Sequence, residues 1–303
     1  MKKTIHIIVG PTAIGKSSLA MRLAKKINGK IVNADSMQVY SNLEILTARP
    51  TSTDLSKIKH ELYGYVDGSE RHSVAKWCHD VVKLFNENKK DTSLIFVGGT
   101  GMYIDKLLNG LINIPPIQEK YKKQSEQLLE AIGREKFINL IKTFDTKSLL
   151  DISTNDNTRI RRIWEIYSST GIPFSEWKIK KNKKFLENIN YKIYLFTPPR
   201  EKIYKAVNLR FEKMIKEGAL KEVKKLLKLN LDKSLPIMRA HGVPEISSFL
   251  SKKTTLDDCI FKGQQVTRNY VKRQLTWWRS SSLEIHQAFN EFPNEIDENL
   301  LKI

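Results

Sequence analysis

The sequence contains little cysteine and no long apolar run, and both shortages exclude classes of protein. Its two cysteines, Cys78 and Cys259, lie far apart without ligand spacing, so they indicate neither a zinc site nor a disulfide framework. No apolar stretch reaches the length of a membrane span, and no signal peptide precedes the first predicted strand. We therefore expect a cytoplasmic protein without a membrane partner, and a monomer by default.

Acidic residues are scarce relative to basic ones. The 303 residues include 52 Lys and Arg against 33 Asp and Glu, which gives a formal net charge of +19 that is spread along the chain. Such an excess indicates a polyanionic partner, most simply nucleic acid, although a general preference for lysine would produce the same composition. The length predicts about two domains, and the apolar content is enough for a packed core.

A glycine loop follows the first predicted strand, Ile5–Val9. It has the G-x-x-x-x-G-K-[ST] form and precedes a helical pattern that ends at Gly29, which is the context of a phosphate-binding loop. In such loops, backbone N–H groups hold phosphate oxygens, the Lys16 position adds a positive charge, and the Ser17 position is a ligand for Mg²⁺. The residues expected to bind the diphosphate are Gly10, Pro11, Thr12, Ala13, Ile14, Gly15, Lys16 and Ser17. The motif indicates a diphosphate or triphosphate and leaves open whether ATP binds.

An acid is missing where ATPases and GTPases usually have one. The predicted strand Leu94–Val97 runs straight into the segment Gly98–Gly101 without the Asp that would hold Mg²⁺, which argues against a hydrolase. The segment itself is either a second ligand-facing turn or a plain turn between strand and helix. The nearest acid at a strand end is Asp35, which could ligate Mg²⁺, accept a proton from a nucleophile, or cap a helix.

Helical patterns separate the β-rich runs of the chain. The four runs are Ile5–Val9, Ile31–Ala34, Leu94–Val97 and Ile193–Phe196. Because ligands bind at the carboxyl ends of parallel strands, we expect the glycine loop, Asp35 and Gly98–Gly101 to line one cleft. We predict an α/β fold with a P-loop NTPase-like parallel sheet core, residues 1–116 and 191–303. Residues 117–190 are a predicted helical insertion domain, and after residue 196 the pattern is helical almost to the end.

Residues 264–279 form a predicted helix with four basic residues and no acid. Helical spacing places Arg268, Lys272 and Thr276 on one line. The apolar face that should pack on the core consists of Val271, Leu275 and Trp278. Basic side chains beside aromatic ones suit phosphate contact and base stacking, but a basic amphipathic surface helix has the same pattern. The lysine-rich run 178–184 is interpreted as a solvated loop. Together, these features favour group transfer from a diphosphate donor to a nucleic acid.

In this order, the motifs resemble those of the tRNA isopentenyltransferase (IPP transferase) family in its bacterial form. The resemblance covers most of the chain. The matching stretches are Gly10–Ser17, Asp35–Tyr40, Ala48–Thr51, His60–Leu62, Gly98–Tyr103, Asn155–Tyr167, Thr170-Gly171, Arg210-Phe211 and Thr267–Arg279.

The resemblance implies transfer of the dimethylallyl group from dimethylallyl diphosphate to tRNA, with release of diphosphate. The acceptor would be the exocyclic amine of the adenosine just 3′ of the anticodon, in tRNAs reading codons that begin with U, with the base flipped out of its stack. Asp35 matches the general base, Arg210 a residue that assists at the diphosphate, and Thr100 a residue of the channel. Mg²⁺ is the expected cofactor, held by Ser17 through the bound diphosphate.

The resemblance also implies a tRNA surface. The helical insertion resembles a mobile domain that closes on the anticodon stem-loop. The residues expected to contact tRNA, the last two on the basic C-terminal helix, are Asp35, Ser36, Met37, Gln38, Thr158, Arg159, Ile160, Arg161, Arg162, Arg239, Gly242, Arg268 and Lys272.

The chain departs from the family pattern at two places. Members usually have glycine at the position of Leu46, and a Tyr followed by a basic residue where Val243 and Pro244 follow Gly242, so the family's tRNA contacts do not carry over to Val243 and Pro244. Three other functions stay open at this point. A transferase acting on free adenine nucleotides would have little use for the basic insertion, a P-loop small-molecule kinase would need the missing strand-end acid, and an RNA-binding ATPase would form no covalent product.

Overall fold

The β-rich runs of the sequence form a parallel sheet. In the computed structural model, which describes residues 3–88, 92–150, 152–180, 182 and 184–303, this sheet contains six strands. They are β1 (Lys3–Val9), β2 (Lys30–Asn33), β3 (His60–Glu61), β4 (Leu94–Gly98), β5 (Ile189–Phe196) and β6 (Gln287–Phe289). They pair in parallel in the order β3-β2-β4-β1-β5-β6, which confirms the predicted α/β class.

Helices connect the strands, and several begin at a capping side chain. The helices are α1 (Lys16–Lys26), α2 (Ser52–Lys57), α3 (Val74–Glu87), α4 (Gly101–Asn109), α5 (Glu119–Leu149), α6 (Asn157–Thr170), α7 (Phe174–Ile179), α8 (Arg200–Glu217), α9 (Ala219–Leu227), α10 (Val243–Leu250) and α11 (Leu256–Ser280). The side chains of Ser73, Asp156 and Thr255 accept hydrogen bonds from the first turns of α3, α6 and α11. Two 3-10 helices lie at Pro236–Arg239 and Glu298–Leu300. None of the described helices combines the length and the apolar character that crossing a membrane requires.

Strand β1 lies between β4 and β5 and is buried on both faces. Ile5, Ile7 and Val9 belong to one hydrophobic cluster of the sheet unit and Ile8 to a second, and all four are 0% exposed. This continuous apolar run is typical of a strand with helices on both sides. The glycine loop therefore starts from the interior of the sheet, which fixes its position.

The chain after residue 196 differs from the prediction. The expectation of helix almost to the end was wrong, because α11 ends at Ser280 and β6 then pairs with the end of β5. Phe289 of β6 stacks on Phe196 with ring centroids 4.8 Å apart. Strands β3 and β6 were not predicted from the sequence, because they are only two and three residues long and too short to show a strand pattern. Their extended conformation comes from pairing with a neighbour.

The described chain divides into two compact units. One contains the sheet and consists of the residues up to Leu108 and from Phe185 onward, and the other is helical and spans Asn109–Lys184. In the helical unit, Phe137 and Ile141 of α5 pack with Ile160 and Ile163 of α6, and all four are buried. Helix α5 breaks at Gly133 and at Asp145, whose backbone angles are not helical.

Candidate active site

The carboxyl ends of β1, β2 and β4 lie side by side, because β4 pairs with both β1 and β2. A cleft of about 420 Å³ is lined by residues that follow two of these strands. Thr12 and Ala13 come from the glycine loop after β1, and Asp35 and Ser36 come from the segment after β2. The prediction that the loop and Asp35 share one cleft is therefore confirmed.

Lys16 is a buried cation in the first turn of α1. Its Nζ donates a hydrogen bond of 2.6 Å to the carbonyl of Pro11, within the same loop. Burial lowers the pKa of Lys16 to about 7, the carboxylate of Asp35 opposes this shift, and the charge of Arg210 adds to it. An anion close to the loop would favour the charged form of Lys16. Ser17, the next residue, is exposed.

Asp35 is positioned by the backbone and by the side chain of Asn33. The buried Asn33 side chain accepts a hydrogen bond from Asp35 N at 2.8 Å and donates to the carbonyls of Asp35 and Leu62, each at 3.0 Å. Asp35 Oδ1 accepts from Met37 N at 2.9 Å, which closes a turn. The helix-capping alternative for Asp35 was wrong, since residues 34–51 are all described and contain no helix. The carboxylate lines the cleft instead.

Half-buried basic and aromatic side chains line the cleft together with the Asp35 carboxylate. Arg210 on α8 lines the cleft and donates a hydrogen bond of 3.3 Å to Thr12 Oγ1. Burial lowers the pKa of Arg210 and of His241, and the charge of Asp35 opposes both shifts. Burial, aided by the same carboxylate, raises the pKa of Tyr270. Asp35 thus compensates buried positive charge, and a carboxylate in this setting can accept a proton or stabilise a developing cation.

The glycine-rich turn after β4 packs against α11 and does not line the cleft as expected. A Cβ on Gly99 would lie 2.1 Å from Gln274 Nε2, and a Cβ on Gly101 would lie 2.1 Å from the ring of Trp277. The glycines are therefore required for the close approach of α11. Thr100 Oγ1 accepts a hydrogen bond of 3.2 Å from Ser36 N, so Thr100 supports the segment that follows Asp35.

Gln274 is a residue of the site that the sequence analysis missed. Its Oε1 accepts a hydrogen bond of 3.0 Å from Thr12 N, and its Nε2 donates one of 2.9 Å to the carbonyl of Gly99. The side chain is buried and links the glycine loop to the turn after β4. The sequence did contain a signal for a buried role of Gln274, because this residue lies on the apolar face of α11 between Val271 and Trp278. An amide on a buried helix face needs internal partners.

The other residues of α11 singled out in the sequence either pack on the core or lie on the basic side of the helix. The apolar face packs on the core as predicted, with Val271 and Trp278 buried and Leu275 partly buried. Arg268 is half-buried and donates a hydrogen bond of 2.7 Å to Asn208 on α8, whereas Lys272 is exposed.

The predicted tRNA contacts after β2 divide into two groups. Ser36 and Met37 line the cleft together with Asp35. The Gln38 side chain instead donates hydrogen bonds of 2.8 and 3.0 Å to the carbonyls of Thr47 and Ala48. Gln38 therefore supports a neighbouring loop.

The predicted contacts around residue 240 divide between the cleft and the protein interior. Arg239 lines the cleft, and Gly242 is the buried residue that precedes α10. Val243 is 1% exposed and part of the core. Pro244 is exposed in the first turn of α10.

The predicted tRNA residues of the helical unit lie on α6. Thr158 and Arg159 are exposed, and Arg159 pairs with Asp156 at 3.4 Å. Arg161 donates to Ser125 Oγ and to the carbonyl of Lys122. The Arg162 guanidinium lies 3.4 Å from Glu165.

Ile160, which was also expected to contact tRNA, differs from its neighbours on α6. It is fully buried in the core of the helical unit, so its side chain is placed to pack and not to bind a ligand. In the lysine-rich run 178–184, residues 181 and 183 lie outside the described residues.

The chain alone offers little to a metal ion. Within the described ranges, no group of three or more His, Cys, Asp or Glu side chains is placed to hold one. Mg²⁺ often binds through substrate phosphates with few protein ligands. The exposed Ser17 hydroxyl at the loop fits that manner of binding.

The fold and site define a P-loop-like α/β enzyme, in which a glycine loop and a strand-end carboxylate share one cleft. The IPP transferase family model matches residues 38–281. The tRNA dimethylallyltransferase of Ehrlichia canis is 37% identical over 291 residues, which are 96% of this chain and 93% of the relative. The chain belongs to the IPP transferase family and is therefore a transferase.

Two solved structures resemble this fold. The tRNA isopentenylpyrophosphate transferase of Bacillus halodurans matches with a TM-score of 0.67 and 29% identity, over 96% of this chain and 90% of that one. A eukaryotic dimethylallyltransferase described as acting on tRNA matches with a TM-score of 0.78 and 27% identity, over 91% of this chain and 69% of that one.

Proposed function

We propose that this protein transfers the dimethylallyl group of dimethylallyl diphosphate to the exocyclic amine of the adenosine 3′-adjacent to the anticodon, in tRNAs that read codons beginning with U. The observation that carries the proposal is the cleft that contains the glycine loop, the Asp35 carboxylate and an apolar wall. The relatives named for dimethylallyl transfer to tRNA support both substrates. They support neither a nucleotide-prenylating enzyme nor a kinase.

The cleft provides the two kinds of surface that a prenyl diphosphate needs. Thr12, Lys16 and Arg210 supply hydrogen-bond donors and positive charge for the diphosphate. Val207 and Phe211 of α8 supply apolar surface for the hydrocarbon. A bound diphosphate would hold Lys16 in its charged form and would offset the cost of burying two cations together.

The chemical step assigns a role to each charged group. The adenine amine attacks C1 of the dimethylallyl group, the C1–O bond breaks as the N–C bond forms, and diphosphate leaves with the electron pair. The amine loses a proton, which Asp35 accepts at a carboxylate oxygen. Lys16 and Arg210 stabilise the negative charge that develops on the leaving diphosphate.

Mg²⁺ is proposed as the cofactor. Ser17 would hold it together with the oxygens of the bound diphosphate, and the ion would supply additional positive charge to the leaving group. The protein ligand proposed for the ion is the hydroxyl of Ser17, which is exposed and lies in the first turn of α1.

The acceptor is proposed to be the anticodon stem-loop of tRNA, bound by a monomer in the cytoplasm. The net charge of +19 suits a polyanion, and exposed cations such as Lys272 and Arg159 are available for phosphate contacts. Because the amine must reach a carboxylate that lines the cleft, the adenine has to leave its stack and enter the cleft.

The proposal is tested by mass spectrometry of an anticodon stem-loop after incubation with the protein, Mg²⁺ and dimethylallyl diphosphate. We expect a five-carbon adduct on the stem-loop that has adenosine 3′ of the anticodon, and none when guanosine replaces it. AMP and ATP are tested in parallel as acceptors. The variant Asp35→Asn should abolish most of the product, and Asp257→Asn, at an exposed position of α11, is the matched control.

Two outcomes would contradict the proposal. An adduct on AMP alone would identify a nucleotide-prenylating enzyme. Consumption of ATP without any adduct would show that the loop binds a nucleotide and that the family resemblance misleads about the donor.

A further inference from the structure

Arg71 is a cation of the cleft that has no role in the chemical step described above. It lines the cleft together with Arg239, and both side chains are exposed. Because they are exposed while they line the cleft, the two arginines lie at its solvent-facing side, which we call the mouth. Arg210 bonds to the glycine loop, whereas Arg71 bonds to Ser234 and so belongs to a different part of the lining.

The guanidinium of Arg71 is held in place and still has free donors. Its Nη1 donates a hydrogen bond of 3.2 Å to the carbonyl of Ser234, and its Nη2 donates to Ser234 Oγ. Ser234 N in turn donates a hydrogen bond of 2.7 Å to Asp232 Oδ1. These contacts use two of the five N–H donors of the guanidinium, and the other three have no partner among the described residues. The side chain is thus oriented and can bind a further acceptor.

The backbone that carries Arg71 is also fixed. Gly68 N donates a hydrogen bond of 2.7 Å to Asn42 Oδ1, and His72 N donates one of 3.2 Å to the hydroxyl of Tyr40. Tyr40 is itself buried in the core. Arg71 therefore loses little conformational freedom when it binds a ligand, which favours affinity.

The positive charge at the mouth lacks a paired carboxylate. Within the described part of the chain, neither Arg71 nor Arg239 forms an ion pair. Glu70 instead lies 4.0 Å from a lysine of α3. Hydrogen bonds from Ser234 and, less strongly, the charges of Arg71 and Arg239 lower the pKa of Asp232, so this exposed carboxylate is near both arginines without contacting either. A phosphate group would supply the missing partner.

The way in which the acceptor enters identifies that phosphate. When a nucleotide leaves its stack, the base enters the cleft and the adjoining backbone phosphates stay at the mouth. We propose that Arg71, beside Arg239, binds a phosphate group adjacent to the adenosine whose base enters the cleft. This inference rests on the proposed function. It adds a residue for which the family resemblance implies no tRNA contact.

The test is a double-mutant cycle between Arg71 and the two phosphates that flank the target adenosine in the anticodon stem-loop. Each phosphate in turn is replaced by an uncharged methylphosphonate, and Kd is measured by filter binding. In the wild type, one of the replacements should raise Kd roughly tenfold to a hundredfold, the usual range for a lost charged hydrogen bond. In Arg71→Gln, the same replacement should raise Kd at least about fivefold less than in the wild type.

Three further measurements serve as controls. Arg200→Gln, at an exposed position of α8 outside the cleft lining, should keep the wild-type response to both methylphosphonates. Arg71→Lys keeps the charge without the planar pair of donors and should recover part of the affinity. The inhibition constant of inorganic pyrophosphate should be the same in Arg71→Gln and in the wild type, because pyrophosphate occupies the glycine loop.

The possible failures are distinguishable. Equal responses of the wild type and Arg71→Gln to both methylphosphonates would overturn the inference. A raised inhibition constant for pyrophosphate at an unchanged Kd for the stem-loop would also overturn it and would assign Arg71 to the donor. Product formation is measured separately from binding, so absence of a five-carbon adduct on the unmodified stem-loop with the wild-type protein would instead remove the proposed function.

Discussion

The cleft of the sheet unit and the arginine-rich helix α6 of the helical unit both carry clustered positive charge, but they hold it differently. At the cleft, Lys16 is buried beside the glycine loop and Arg210 is half-buried; burial lowers the pKa of both, and the Asp35 carboxylate opposes both shifts. On α6, Arg159 and Arg162 remain largely exposed, and each lies within 3.4 Å of a carboxylate.

This difference separates two uses of the same side chains. A buried cation with a shifted pKa costs folding free energy, so its retention indicates a site for an anion or for chemistry. An exposed ion pair contributes little to stability and can be exchanged for a phosphate at little cost. We therefore expect substitutions beside the glycine loop to change the chemical step or donor binding, and substitutions on α6 to change tRNA affinity.

The largest effect is expected for Asp35→Asn. Loss of a general base should lower the single-turnover rate about 10²–10⁴-fold, and the amide preserves the side-chain shape. Affinity for the stem-loop should stay nearly unchanged, because one carboxylate is lost from a surface dominated by cations. Rapid-quench kinetics with enzyme in excess measures the rate, and filter binding measures the affinity. Weak stem-loop binding with a normal rate once bound would refute the role of Asp35.

The next largest effect is expected on pyrophosphate affinity, through Lys16 and its dependence on pH. In Lys16→Met, affinity for inorganic pyrophosphate should fall roughly tenfold to a hundredfold, the usual range for a lost charged hydrogen bond. In the wild type, Lys16 has a pKa of about 7 and must be charged to bind an anion. The affinity should therefore fall as pH rises above 7, by up to about tenfold per unit.

Calorimetric titrations from pH 6 to pH 9 check both parts. Lys16→Met serves as the reference that removes the titration of pyrophosphate itself, and Lys25→Met, at an exposed position of α1, is the matched control. An identical pH profile in the wild type and in Lys16→Met would contradict the shifted pKa.

A smaller effect is expected for Gln274→Met, which keeps the volume and removes both hydrogen bonds to the glycine loop and the turn after β4. KM for dimethylallyl diphosphate should rise about tenfold, with a smaller change in kcat, because two hydrogen bonds of about 1 kcal/mol each position Thr12 and Gly99. Gln265→Met, on the exposed side of α11, should behave as the wild type. A loss of thermal stability without any change in KM would show that Gln274 contributes to packing and does not position the donor site.

The smallest effect is expected on α6. Arg159→Gln should weaken stem-loop binding and reduce the slope of log K against log salt by about one, with no change in the rate of bound substrate. Ile160→Val should lower the free energy of unfolding by about 0.5–1.5 kcal/mol without changing that slope, since Ile160 is buried. Salt-dependent binding and thermal unfolding measure the two. A changed salt slope in Ile160→Val would indicate that Ile160 does contribute to tRNA binding.

Several parts of this site were visible in the sequence. The glycine loop, Asp35 at the end of β2 and the apolar face of α11 follow from local patterns, because a motif and its flanking periodicity involve consecutive residues. Long-range partners were not visible. Gln274 contacts Thr12 across 262 positions of the chain, and Arg71 contacts Ser234 across 163.

The family resemblance does not tell which way each matched side chain points. Thr100, expected in the channel, accepts a hydrogen bond from Ser36 N, and Ser36 lines the cleft. Ile160 was expected at the tRNA surface with the arginines around it, but its side chain is buried in the core of the helical unit. Neighbours in sequence point in different directions once a helix forms.

The sequence by itself determined the strand, loop and helix that present Lys16, the acid that follows β2, and the membership of the chain in its family. Tertiary structure alone decided that Asp35 caps no helix, that α11 packs on the turn after β4, and that Arg71 and Ser234 meet in the lining of the cleft. The physical reason is that strand and helix periodicity are written in adjacent residues, whereas close packing and buried hydrogen bonds depend on which distant segments the sheet brings together.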